Sequence, residues 1–176
     1  MQGAPHQTEG VWQLATAQDL LWFSKVVNEM GDVYAQATIV APVDMSGVEW
    51  QPIGKTSRPY VGKFNGGLNP ITNMTLPLFG NTNNADIQGI AILGGTIGGN
   101  ANYAEHTGSI IGVANGTTHL TRSYSTAHMA TSAGDCGGLI GKVKGSGTIK
   151  DCFFAGNLTA GWSAGCMVGS SDGSTI

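Results

Sequence analysis

An apolar pair followed by glycine returns along this chain at nearly constant spacing. It reads Leu78-Phe79-Gly80, then Ser109-Ile110-Ile111-Gly112, Gly138-Leu139-Ile140-Gly141 and Cys166-Met167-Val168-Gly169. The closing glycines are 32, 29 and 28 residues apart. A recurrence in that range marks a repeat architecture, in which each unit buries its apolar side against the next.

A second block follows each copy after a short polar turn. It reads ITNMTL from Ile71, IQGIAI from Ile87, LTRSYS from Leu120 and IKDCFF from Ile149. Small or apolar residues stand at offsets zero, three and five: Ile71/Met74/Leu76, Ile87/Ile90/Ile92, Leu120/Ser123/Ser125 and Ile149/Cys152/Phe154. A straight strand keeps one face at offsets of two and four, so the step of three requires a bend, with Asn73, Gly89, Arg122 and Asp151 at the corner. A bent strand that recurs at this spacing is one coil of a parallel β-solenoid, with like positions stacked about 4.8 Å apart. The expected spine of the core is the column Ile71, Ile87, Leu120, Ile149 and Ile176. Ser123 and Ser125 make the weakest turn, and their hydroxyls should bond to backbone, or Tyr124 should reach across. The lengths of the turns differ, and the excess falls in 94–108, 127–137 and 156–165, which should project as loops from one side.

The N-terminal part carries the only convincing helix signal. Thr16 and Asp19 have the spacing of an N-cap and its acidic third position, and Gly31 closes the segment. Leu20, Phe23, Val27 and Met30 fall on one face, widened by Leu21. The implied class is all-β, a β-solenoid with an N-terminal capping α-helix. The expected organisation is a tail over 1–13, a helix-containing cap with the first strands over 14–58, and solenoid repeats over 59–176. Trp12, Trp22 and Trp50 are expected in the core of the capping region.

Composition narrows the function. The 28 glycines exceed twice the usual share of about 7%, while charged residues make up 11% against about 25% in ordinary globular chains. The net charge of −3 and the scattered Lys and Arg give no basic stripe for nucleic acid. No apolar run reaches the roughly 20 residues needed to cross a bilayer. The start MQGAPHQTEG has no signal-peptide pattern, so either the protein is not exported or a signal has been removed. Low charge with abundant Gly, Asn, Ser and Thr leans towards export, by correlation only. Asn73, Asn115 and Asn157 open N-x-[ST] sequons, whose chance occurrence is expected in so Asn- and Thr-rich a chain.

The segment Gly138-Leu139-Ile140-Gly141, followed by Gly147-Thr148-Ile149-Lys150-Asp151-Cys152-Phe153, resembles the GLUG repeat of bacterial cell-surface and adhesin-like proteins. Upstream, Trp50-Gln51-Pro52-Ile53-Gly54 and the run from Phe64 to Met74 resemble the lead-in of such proteins. Two copies lack the leading Gly-Leu, and Pro70 replaces a polar residue. The resemblance implies a right-handed parallel β-solenoid that serves as a non-catalytic, secreted or cell-surface module, often within a longer protein. It carries no catalytic residues over.

The chemistry-bearing residues agree with architecture rather than catalysis. Gly141-Lys142 lacks the glycine five residues earlier and the Ser or Thr after lysine that a phosphate loop needs, so its glycines read as corners and its lysines should point to water. His106, His119 and His128 have no metal-ligand spacing, and no metal or other cofactor is expected. Cys136 stacks on Ala164, which leaves Cys166 about 8 Å away and beyond disulfide reach, while Cys152 points inward. No pair of Asp86, Glu105, Asp135, Asp151 and Asp172 converges as a glycosidase or lyase requires, and Ser, His and Asp are too dispersed for a triad. The expectation is therefore no enzyme, with a carbohydrate-active enzyme or a plain stalk as alternatives.

Tyr103, His106, His128 and Trp162 are the candidate ligand-binding residues. Exposed aromatics there would stack on a surface glycan or a protein ligand, unless Trp162 packs on its own turn. Thr175-Ile176 open a further strand, so either the coil continues or its open edge associates end to end with another chain.

Overall fold

The structure is a computed structural model that describes residues 3–98, 106–132 and 134–173, and counts below refer to these. Strand makes up 44% of the described residues, wound into a parallel β-solenoid of about five turns. One face is a seven-stranded sheet running from Gln7–Thr8 through Val11–Leu14, Gln36–Ile39, Lys63–Asn65, Asp86–Gln88 and His119–Thr121 to Thr148–Lys150. A second stacks Val43–Asp44, Pro70–Thr72, Ala91–Leu93, Tyr124–Ser125 and Phe153–Phe154. A third holds Phe79–Asn83, Ile111–Asn115, Ile140–Lys144 and Val168–Ser171. All pairings are parallel except the first, Gln7–Thr8 with Val11–Leu14, and the isolated bridge between Lys55 and Arg58. The coil does not begin at residue 59. Val11–Leu14 pairs in parallel with Gln36–Ile39, and that strand with Lys63–Asn65, so the supposed tail and cap already supply turns of the same sheet.

The helix spans Ala17–Asn28, and Thr16 caps it as the sequence predicts. The Asp19 amide donates to Thr16 Oγ1 at 3.1 Å, and the Thr16 amide donates back to Asp19 Oδ2 at 3.0 Å. Leu20, Phe23 and Val27 are fully buried beneath it. Met30 is not on that face: the helix has ended, and its side chain is 70% exposed. Phe23 meets the rings of Tyr60 and Phe64 edge-on, at centroid distances of 6.1 and 5.6 Å, and Phe79 packs behind both. Each such buried ring or aliphatic side chain contributes roughly 1.5–3 kcal/mol, so this cluster binds helix to coil. The weld has a polar part. Asn28 Nδ2 donates to the Pro52 carbonyl at 2.9 Å, while Asn28 Oδ1 accepts from the Gly54 amide at 2.9 Å. Arg58 Nη1 donates to the free carbonyls of Asn28 and Glu29 and finishes the helix. Trp50 is buried, whereas Trp12 and Trp22 are half-buried and meet edge to face at 4.4 Å.

The stacked columns hold, with one shift of register. Ile111, Ile140 and Val168 align with Phe79, and Ile53 bridges to Phe79 ahead of them, so every member of the column precedes a glycine. Ile87, Leu120 and Ile149 align too, but their upstream partner is Phe64. Ile71 stacks instead on Ile92 in the second face, and Ile176 lies outside the described residues. Two residues more separate Phe64 from Ile71 than Ile87 from Ile92, and this extra length displaces the upstream block. The corner residues Gly89, Arg122 and Asp151 follow in-register strands and share positive φ of 65°, 48° and 56°. Asn73, also at positive φ, turns the next corner.

Ser123 and Ser125 are buried and satisfied by backbone. Ser123 Oγ donates to the Thr121 carbonyl and accepts from the Ile90 amide, and Ser125 Oγ accepts from the Ala127 amide. Among the described residues no helix is long and apolar enough to cross a membrane.

Candidate functional site

The described parts of the longer late turns form strands rather than loops, and 99–105 lie outside the described residues. Thr96–Ile97, His128–Thr131 and Leu158–Ala160 pair into a further three-stranded sheet, and Cys136–Gly137 pairs with Ala164–Gly165. These segments have little apolar alternation and are held by ladder bonds to their neighbours, such as His128 amide to Gly95 carbonyl and Met129 amide to Asn157 carbonyl. The extra residues build a side wall.

At the edge of that wall, three turns bring polar side chains together. Thr107 bridges to Cys136, and Cys136 pairs with Ala164. The Thr107 amide donates to the Asp135 carbonyl and the Cys136 amide to the Ser163 carbonyl, both at 2.9 Å, so His106, Asp135 and Ser163 follow one another up the stack. The chain then turns sharply into the third face. A β-carbon on Gly137 would lie 1.8 Å from the Ile140 carbonyl oxygen, and the equivalents on Gly108 and Gly165 would lie 2.4 and 2.0 Å from Ile111 and Val168. Glycine at these three positions lets the corner close and sets the column above the strand that follows.

His106 Nδ1 lies 3.1 Å from Asp135 Oδ2 and accepts from the Asp135 amide at 3.3 Å. A neutral ring can accept a hydrogen bond from the amide there, and a protonated ring can donate to the carboxylate. Ser170 Oγ donates to the same Oδ2 at 2.5 Å. That hydroxyl is the main reason the Asp135 carboxyl is held below its usual range. Partial burial works the other way, and His106, Ser163 and Lys142 lower it further. Lys142 does not simply point to water: its Nζ is 2.9 Å from Asp172 Oδ1, and its side chain is largely covered.

The order of groups decides the chemistry available. Asp135 stands between the serine and the histidine, so Ser170 donates to a carboxylate rather than to an imidazole, and the order differs from that of a Ser-His-Asp triad. A carboxyl pulled down and hydrogen-bonded suits a group that stays ionised rather than the raised general acid of a glycosidase. The edge gathers hydroxyl, imidazole, ammonium and carboxylate groups that pair with one another.

Of the sequence-predicted residues, His106 lies in this cluster. Trp162 directly precedes Ser163 and is 75% exposed, so it does not pack against its own turn. His128 is half-buried in the side wall, paired with Thr96, on a separate stretch of the turn. Tyr103 lies outside the described residues. Ser170 and Lys142 were not expected here, yet the signal was present: His106 and Asp135 are 29 residues apart, the spacing of the repeat itself. Among the described residues no three of His, Cys, Asp and Glu come together to hold a metal ion. Cys136, Cys152 and Cys166 are free thiols, with burial pushing the thiols of Cys136 and Cys152 up. Compared with protein-family models, curated proteins and solved structures, the chain matches none of them.

Proposed function

We propose that this chain is a non-catalytic, extracellular module of a GLUG-like surface protein that presents a glycan or protein ligand site on the edge formed by Trp162 and the His106–Asp135–Ser163 column. The observation that carries the reading is the exposure of Trp162 beside that column on a rigid coil. An indole left 75% in water keeps a flat apolar face open to a ligand. Its flat face suits the C–H side of a pyranose or an apolar peptide side chain, while hydroxyl and carboxylate groups on the neighbouring turn suit sugar hydroxyls.

Screening wild type and Trp162→Ala against a glycan array, with melting curves for both, tests the proposal. Wild type should retain one class of glycan and the variant should lose it without a change in melting. Retention by both would remove Trp162 from the site, and retention by neither would leave a stalk that spaces other domains.

A further inference from the structure

The His106 ring faces two different groups of one residue. Its Nδ1 accepts from the Asp135 amide at 3.3 Å and stands 3.1 Å from Asp135 Oδ2. One ring nitrogen cannot serve both at once. Without a proton Nδ1 is an acceptor and suits the amide; with a proton it is a donor and suits the carboxylate. The two contacts are therefore alternatives, chosen by the protonation state of the ring, and histidine is the side chain whose ordinary titration falls between about pH 5 and 8.

The surrounding turns keep both partners within reach. The side chains of His106 and Asp135 are 13% and 18% exposed. Their backbones are tied together, because the Thr107 amide donates to the Asp135 carbonyl at 2.9 Å and Thr107 bridges to Cys136. The strand Ile140–Lys144 packs against the same corner, where a β-carbon at Gly141 would lie 2.8 Å from the His106 carbonyl carbon. That strand brings Lys142, and Val168–Ser171 brings the Ser170 hydroxyl onto Asp135 Oδ2, with Asp172 following it and paired to Lys142. Ser163 reaches Asp135 from the next turn, and the Cys136 thiol follows Asp135 in the chain. Glu105, which precedes His106 in the chain, lies outside the described residues. Asp135 and Asp172 favour a positive ring here, and Lys142 opposes it.

We propose that His106 is a proton-operated switch in this corner: the neutral ring holds the Asp135 amide, and the imidazolium releases that amide and takes the Asp135 carboxylate. The carboxylate then serves the imidazolium and the Ser170 hydroxyl together, which its lone pairs allow. The freed amide stands one residue before Cys136, whose own amide donates to the carbonyl of Ser163, the neighbour of Trp162. Mild acid thus loosens the backbone beside the exposed indole. Use of the switch to regulate a ligand rests on the site proposed above; the exchange of partners needs no ligand.

NMR of the whole chain between about pH 8 and about pH 5, with amide hydrogen exchange, tests this. His106→Gln still offers an oxygen to the amide but takes no proton, and His119→Gln, at an exposed position on the first face, is the control. The Asp135 carboxyl is held low, so it does not itself titrate in that range. In wild type and the His119 variant the Asp135 amide signal should move with the same midpoint as the His106 ring. At about pH 5 that amide should exchange about tenfold faster than in the His106 variant at the same pH, the effect of one lost hydrogen bond. A ring that keeps one charge state throughout, an amide that stays still while the ring titrates, or a response that persists in the His106 variant would overturn the proposal. Since no glycan enters the measurement, failure of the switch and failure of the ligand site are separate results.

Discussion

The Phe154 ring lies directly against the α-carbon of Gly138. A β-carbon at Gly138 would fall 2.4 Å from Phe154 Cγ and 2.0 Å from the Cys166 carbonyl oxygen. The leading glycine of the Gly-Leu-Ile-Gly segment is thus a seat for a ring supplied by the next turn. Gly138→Ala should cost about 1–3 kcal/mol, because neither the ring nor the backbone carbonyl can withdraw without moving a strand. Urea unfolding would show a lower midpoint with an unchanged slope; an unchanged midpoint would mean that the last turn is free to shift.

Beside the aromatic cluster, the buried Asn28 amide joins the helix to the coil. Asn28→Leu removes both the acceptor for the Gly54 amide and the donor to Pro52. Leaving the buried Gly54 N–H unpaired costs about 1–3 kcal/mol, more than the added apolar surface can return at a site shaped for an amide. The expected outcome is early loss of helical signal on heating. Coincident loss of helix and sheet signals would show that helix and coil unfold as one unit.

Acid should loosen the last turns through Asp135. Its carboxyl is held low in the folded chain, so the stabilisation is fully present above the unfolded value of about 3.9 and is lost as pH falls through the lower folded value. The stability difference between wild type and Asp135→Asn should therefore be constant just above pH ~5 and shrink below about pH 4. Denaturant midpoints of both proteins across that range measure it, and parallel curves would exclude a lowered Asp135.

The three thiols should separate by place. Cys166 is exposed, whereas Cys136 is buried and Cys152 partly so, with burial opposing thiolate formation at both. Brief alkylation of the native chain, read by mass spectrometry, should label Cys166 first, and denaturant should open the other two. Equal labelling of all three in native buffer would mean that the last turns open readily.

Much of this was legible in the chain because a solenoid repeats its constraints. Apolar pairs before Gly80, Gly112, Gly141 and Gly169 named one column correctly, and the three-step spacing of Ile87, Ile90 and Ile92 named the bend. Pro70-Ile71-Thr72 has the same polarity pattern as a strand on the first face, and pattern cannot distinguish faces, so the sequence does not reveal that Ile71 stacks on Ile92. The side wall leaves no strand signal in the sequence because Thr96–Ile97 and Leu158–Ala160 owe their strand form to neighbours rather than to their own alternation.

The sequence by itself determined the period, the bend and the capped helix, since each rests on residues near one another in the chain: an N-cap three positions from its acid, an apolar pair beside its glycine. Only the tertiary structure decided which turn stacks on which, that Asp135 collects His106 and Ser170 from 29 and 35 residues away, and that Trp162 stays in water. Those outcomes depend on the height of each turn in the stack. A two-residue change in one corner resets that height without altering any local pattern.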